Sequence, residues 1–182
     1  KKGDKEFGLA NTNKLLKQYQ WTTGLKTGST NAAKYCFSAT ANKDGIDLIA
    51  VIMGAPDFKI RFAEARSLLE YGFAMTRLYV DENREPLNNV PVTGGKAEFL
   101  AVEPKGAFRY LDTNGADFSQ IEKKYQYSDA VTAPVKKGAE VGHISYILGG
   151  KEIGKVAIIT SEAVEKAYYI DYLKKIFMKY LI

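Results

Sequence analysis

Lys26, Thr27 and Gly28 stand in immediate succession: a cation, a hydroxyl and a residue without a side chain. Together they suit an anionic ligand, because the ammonium supplies charge, the hydroxyl donates a hydrogen bond and the glycine admits another backbone at close range. Ser29 and Thr30 follow directly and add two further hydroxyls. A tripeptide this short recurs by accident, so its weight depends on the element that carries it.

That element reads as a strand. From Tyr35 to Ala41, Tyr35, Phe37 and Ala39 alternate with Cys36, Ser38 and Thr40, and the turn signal Asn42-Lys43-Asp44-Gly45 leads into the apolar run Ile46 to Met53. The pattern predicts an antiparallel hairpin that continues a sheet containing the Lys26 strand. Ahead of it a short strand is expected around Phe7 to Ala10, then a polar turn at Asn11-Thr12-Asn13. Beyond Gly54-Ala55-Pro56, Asp57 is expected to cap a helix that closes at Gly72, with Phe62, Ala65, Leu68 and Leu69 on its buried face and Arg61, Glu64 and Arg66 elsewhere.

The texture changes near Thr76. Apolar runs then recur roughly every eight to twelve residues, the spacing of an all-β domain: Leu78 to Val80, Val90 to Val92, Phe99 to Val102, Phe108 to Leu111, Ile121 to Tyr127, Val131 to Val135, Val141 to Leu148 and Val156 to Thr160. Gly94-Gly95, Asn114-Gly115, Lys137-Gly138 and Gly149-Gly150 punctuate them. Residues 76–161 are therefore expected to form a small β-sandwich-like domain. Residues 162–182 have helical period, with Asp171, Lys174, Lys175 and Lys179 on one face and a wide face of Tyr169, Ile170, Tyr172, Leu173, Ile176, Phe177, Tyr180 and Leu181 on the other. Such a helix suits a membrane interface, the alternative being a docked helix.

The chain has 182 residues, 46% of them hydrophobic, and a formal charge of +5 concentrated before Thr76. An anionic polymer or membrane fits this distribution. Nucleic acid does not, because no basic cluster is interleaved with exposed aromatics. Cys36 is the single cysteine and reads as a small buried hydrophobe. No leader is visible and no apolar run is long enough to span a bilayer. His143, the single histidine, has no second histidine or cysteine nearby in sequence, so no metal and no cofactor is expected, and its role is read as structural.

The surrounding text gives the tripeptide its weight. Phe7-Gly8-Leu9-Ala10-Asn11-Thr12-Asn13-Lys14-Leu15-Leu16, Thr23 to Thr30, Tyr35-Cys36, Ala39-Thr40-Ala41, Asp44-Gly45, Gly54-Ala55-Pro56, Arg61-Phe62 and Tyr71-Gly72-Phe73 closely resemble the serine-type D-alanyl-D-alanine carboxypeptidases, the low-molecular-mass penicillin-binding proteins. The resemblance implies an α+β fold: residues 1–75 would be the C-terminal portion of a β-lactamase/transpeptidase-like antiparallel sheet with a packed helix, residues 76–161 a stalk, and residues 162–182 the membrane-interface anchor. It also implies a chemistry. A serine attacks the bond between two D-alanines of a peptidoglycan stem peptide, an oxyanion forms, and water releases the acyl-enzyme; β-lactams are attacked in the same geometry.

Carried over residue by residue, Lys26 would supply positive potential and join the proton relay. Thr27, with Ser29 or Thr30, would bind the substrate's terminal carboxylate, Gly28 would admit its backbone, and the Ser29 N–H would be one of two oxyanion donors. None of Ser29, Ser38, Ser67, Ser119, Ser128, Ser145 and Ser161 has a lysine three residues later, so the Ser-x-x-Lys nucleophile of the family is expected outside this sequence, on the N-terminal half of the catalytic domain. Ser29-Thr30-Asn31 spells Ser-x-Asn but lies too close to Lys26 to fold back as the family's second motif. A sheet cut here would expose an edge at the Lys26 strand and invite pairing. Some relatives carry an arginine near Thr12 and a histidine where Ser29 stands, so the carboxylate pocket is expected to be built differently. The resemblance places the protein outside the cell, peripheral to the outer face of a bacterial membrane. The reading from another class is a non-catalytic wall-binding module or inactive portion.

Overall fold

The computed structural model describes residues 8–180, without the side chains of residues 179 and 180. It divides into two compact units, Lys1–Leu78 with Leu111–Gly115, and Tyr79–Tyr110 with Ala116–Ile182. The division falls a few residues beyond the expected 75/76 boundary, a short segment from the later half joins the first unit, and the terminal helix belongs to the second.

In the first unit, α1 (Leu15–Gln18) is a single turn. It is started by Asn13, whose side-chain oxygen accepts from the Leu15 N–H at 3.1 Å. Three strands follow, β1 (Thr22–Thr30), β2 (Lys34–Lys43) and β3 (Ile46–Ala55), antiparallel and in the order β1-β2-β3. The register pairs Thr27 with Phe37, Ala39 with Ala50 and Ala41 with Leu48. Period-two alternation therefore turns Phe37, Ala39, Ala41 and Ala50 inward, where α2 (Ile60–Met75) lies on them. Phe62 meets Phe37 edge to face at 5.1 Å.

Four local expectations are corrected. Residues 8–11 form no strand and Leu9 is exposed, while Phe7 lies outside the described residues. The buried stripe of α2 is Arg61, Phe62, Ala65 and Leu69, whereas Leu68 is 47% exposed. The helix is therefore rotated so that the i, i+4 row of Arg61, Ala65 and Leu69 faces the sheet. Gly72 does not end the helix, which runs on to Met75. A Cβ there would stand 2.7 Å from Leu48 Cδ1, so glycine is needed for the close approach of helix to sheet. Asp57 does not cap the helix as expected: Lys59 holds the N-cap position without a side-chain cap, and the Asp57 carboxylate instead closes the turn before it by accepting from the Lys59 N–H at 2.7 Å.

After α2 come β4 (Arg77–Asp81), β5 (Val90–Thr93), β6 (Phe99–Leu100), β7 (Val102–Pro104), β8 (Phe108–Asp112), β9 (Glu122–Tyr127), β10 (Val131–Thr132), β11 (Glu140–Leu148) and β12 (Lys151–Thr160), all in the second unit except the first two residues of β4 and the last two of β8. Their sheets are β7-β12-β11-β9, β10-β5-β6 and the pair β4-β8. The expected run Phe99 to Val102 is split into two strands on different sheets. Residues 162–168 are extended rather than helical, held by bridges from Val164 to Val135 and from Lys166 to Gly95, and α3 begins only at Tyr169. Val164 and Ala167 are buried, so this stretch spends its apolar residues on the β-domain.

The unit's core centres on Tyr146, whose side chain is fully buried. Its ring stacks on Phe108 at 3.7 Å, and its hydroxyl meets Asn83 Oδ1 at 2.6 Å and Asp81 Oδ2 at 3.0 Å. Lys123 Nζ closes the group at 2.7 Å from Asp81 and 3.3 Å from Glu85. Burial alone would raise the Asp81 pKa, but the Lys123 ammonium, the Asn83 N–H and the Tyr146 hydroxyl together hold it below its ordinary value.

Two outcomes follow from these cores. Leu69→Ala, which empties a fully buried site between α2 and the sheet, is expected to cost the first unit about 2–5 kcal/mol in chemical denaturation. Asp81 releases its proton more easily folded than unfolded, so its contribution is present above the ordinary value of 3.8 and is lost as pH falls through its lower folded value. Thermal melts of the second unit are therefore expected to drop on acidification below that value, and Asp81→Asn is expected to flatten the drop.

Candidate active site

The five residues singled out from the sequence lie together at the end of β1, an edge strand whose only sheet neighbour among the described residues is β2. Their side chains divide between the two faces. Lys26 is on the outer face, opposite Ser38, and is exposed. Among the described residues no acid pairs with it; its Nζ donates to the Thr27 carbonyl at 2.8 Å. Thr27 is on the inner face at 8% exposure, and its hydroxyl lies 2.8 Å from that of Thr12. A hydroxyl can donate once and accept twice, so this bond orients Thr27 without exhausting it.

Gly28 is exposed, its φ is not positive, and a Cβ built on it would meet nothing within 4 Å. Neither packing nor backbone conformation in this chain requires a glycine there. The open space beside it is what a close-lying backbone would use. Ser29 and Thr30 are exposed on a shallow polar depression of about 450 Å³, lined also by Asn31, Lys34, Tyr35 and Pro56. The Thr30 hydroxyl accepts from the Ala33 N–H at 2.9 Å, so it shapes the β1-β2 turn as well.

The outer face around Lys26 is apolar and uncovered. Ile49, Val51 and Met53 point outward from β3 at 73%, 57% and 79% exposure. A second depression of about 280 Å³ runs between Lys26, Cys36, Ser38, Val51 and Met53. Cys36 is half-buried at its rim rather than in the core, a correction to its expected role as a buried hydrophobe. Among the described residues no strand pairs with the outer edge of β3 either.

Two residues near the site were not anticipated. Thr12 supplies the partner of Thr27. Arg61, expected on the exposed side of α2, lies beneath β1 at 8% exposure, its Nη1 donating to the carbonyls of Gly28 at 3.3 Å and Cys36 at 3.5 Å. Its position in the i, i+4 row with Ala65 and Leu69 is the signal that could have found it. His143 is half-buried on β11 in the other unit, its Nε2 without a hydrogen-bond partner among the described residues.

Residues 1–57, which hold every candidate residue on β1, match the family described as D-alanyl-D-alanine carboxypeptidase. Residues 73–166 match the family described as Penicillin-binding protein 5, C-terminal domain. The chain is 32% identical over 173 residues to the D-alanyl-D-alanine carboxypeptidase DacF of Bacillus subtilis, covering 94% of this chain and 44% of that protein. It is 31% identical over 176 residues to the D-alanyl-D-alanine carboxypeptidase DacC of Escherichia coli, covering 86% and 40%. Among solved structures, penicillin binding protein 5 from Haemophilus influenzae superimposes with a TM-score of 0.65 at 28% identity, over 86% of this chain and 46% of that one. The chain thus spans less than half the length of these relatives. More than half of its residues match the one domain and its Lys26 strand matches the other family, so the chain belongs to the low-molecular-mass penicillin-binding proteins.

Proposed function

We propose that this chain is part of a D,D-carboxypeptidase that removes the terminal D-alanine from peptidoglycan stem peptides through a serine acyl-enzyme, and that β-lactams acylate the same serine. The observation that carries the reading is the combination on β1: an exposed, acid-free lysine, a glycine that nothing in its own chain requires, and an open strand edge beside two exposed hydroxyls. An extended peptide can pair with that edge through its backbone. Lys26 would hold the positive potential that attracts a terminal carboxylate, Ser29 and Thr30 with the Thr27 hydroxyl would bind it, and the Ser29 N–H would meet the developing oxyanion.

The nucleophile comes, on this reading, from the N-terminal half of the catalytic domain. The uncovered Ile49, Val51 and Met53 stripe and the open edge of β3 support a partner there, since both would otherwise leave apolar surface and unpaired backbone in water. The relatives whose names include carboxypeptidase activity are more than twice as long as the stretch they share with this chain, which leaves room for that half.

α3 (Tyr169–Tyr180) would attach the protein to the outer face of the bacterial membrane. Tyr169, Ile170, Tyr172, Ile176, Phe177 and Met178 are all exposed on it, with Lys174 and Lys175 beside them. Its start is fixed by Asp171, which accepts from the Tyr168 N–H at 2.9 Å. No helix among the described residues is long and apolar enough to cross a membrane, and an interfacial helix does not need to be.

Two measurements check these assignments. In the complete protein carrying this chain, Lys26→Ala is expected to slow acylation by a fluorescent penicillin by about 100-fold or more, as loss of a charge at an electrostatic site does; an unchanged rate would remove Lys26 from the chemistry. Flotation with vesicles is expected to carry the protein when they contain anionic lipid and to leave it behind when residues 169–182 are deleted. Equal flotation of both forms would contradict the anchoring role.

A further inference from the structure

Arg61 is an expensive residue for its position. It is the second residue of α2, 8% exposed, and among the described residues no acid pairs with it. A buried cation without a counter-ion is costly, and an apolar side chain of similar volume would fill the space beneath the sheet at lower cost. What the guanidinium has instead is a set of partial charges. The carbonyls of Gly28 and Cys36 accept from its Nη1 at 3.3 and 3.5 Å, and its Cζ lies 4.8 Å from the ring centre of Phe62 and 5.4 Å from that of Tyr35. Nε is buried with no hydrogen-bond partner among the described residues. Stability of the fold gives little reason for such a group, but its first acceptor lies within the Lys26-Thr27-Gly28 tripeptide.

The carbonyl of Gly28 and the N–H of Ser29 belong to one peptide unit. That unit is not among the cis peptides of the chain, so the two groups point in opposite directions from a shared plane. A donor that holds the Gly28 oxygen therefore also fixes where the Ser29 N–H points. A cation on the carbonyl polarises the unit as well, and makes its N–H a stronger donor. We propose that Arg61 is a positioning residue for acyl transfer: from beneath the sheet it locks the Gly28-Ser29 peptide so that the Ser29 N–H is aimed at the oxyanion, and its uncompensated charge favours the negative charge that develops there. The inference rests on the acyl-transfer reading above and deepens it. It assigns to α2, the helix behind the sheet, a part in stabilising the transition state.

Because the oxyanion exists only after attack, loss of Arg61 acts on the chemical step and leaves ground-state binding in place. The test uses the complete protein that carries this chain, with a diacyl peptide ending in D-Ala-D-Ala as substrate and a peptide boronic acid as the tetrahedral analogue. kcat is expressed per site titrated by benzylpenicillin, so that misfolded protein does not count. Arg61→Met is expected to lower kcat and boronic acid affinity by about tenfold or more while KM stays within about twofold, in line with weakening one oxyanion donor. Arg61→Lys, which keeps the cation but loses the planar fork that fixes its direction, is expected to fall between Met and wild type.

Wild-type kcat in folded Arg61→Met, or a raised KM with kcat retained, would overturn the proposal. If Arg61→Met does not fold, Arg61→Lys decides alone: a lowered kcat with KM retained supports the proposal, and an unaltered kcat overturns it. A wild-type protein that takes up no penicillin would overturn the acyl-transfer reading and this inference with it, whereas normal uptake with indifferent Arg61 variants removes this inference only.

Discussion

The contact on which the first unit depends is that between α2 and three alanines. Ala39, Ala41 and Ala50 are nearly or wholly buried on the inner face of the sheet, and their small side chains let the helix lie close over β2 and β3. Gly72 extends the same approach at the far end of the helix, where Leu48 leaves no room for a Cβ. This close seating fixes the rotation of α2, and the rotation places Arg61 under Gly28. Larger residues at the alanine positions would lift the helix and withdraw the guanidinium from the carbonyls it serves. A packing constraint and a property of the site are thus the same constraint.

The second unit is organised on another principle. One long antiparallel pair, β11 with β12, carries the largest share of its backbone pairing, while β6, β7 and β10 are only two or three residues long and add little. A buried aromatic group around Tyr146, tied by its hydroxyl to Asp81 and Asn83, holds β4 and β11 together where no ladder joins them. Lys123 from β9 completes the group. The cost of burying these polar atoms is offset because each finds a partner.

Much of this was legible in the sequence, for reasons particular residues make plain. The β2-β3 hairpin followed from strict alternation and from Asp44-Gly45, both with positive φ as such a turn requires. The all-β texture after Thr76 followed from evenly spaced apolar runs. Long-range geometry was not legible. Arg61 looked like a solvated helix residue because local pattern cannot show carbonyls waiting beneath a neighbouring strand, and Leu68 looked buried because the stripe is set by the sheet it meets. Residues 162–168 read as helix because their period is helical, yet bridges to Gly95 and Val135 draw them out straight. Thr12 and Thr27 are fifteen residues apart, and only the fold brings their hydroxyls together.

The claim that most needs a direct observation is that the Ser29 N–H and the Thr27, Ser29 and Thr30 hydroxyls form one half of an acyl-transfer site. A crystal structure of the complete protein acylated by benzylpenicillin tests it. The account requires the acyl carbonyl oxygen within hydrogen-bond distance of the Ser29 N–H, the drug's carboxylate among the three hydroxyls, and the Lys26 ammonium near the acylated serine. A covalent adduct whose carbonyl and carboxylate lie away from β1 would contradict it.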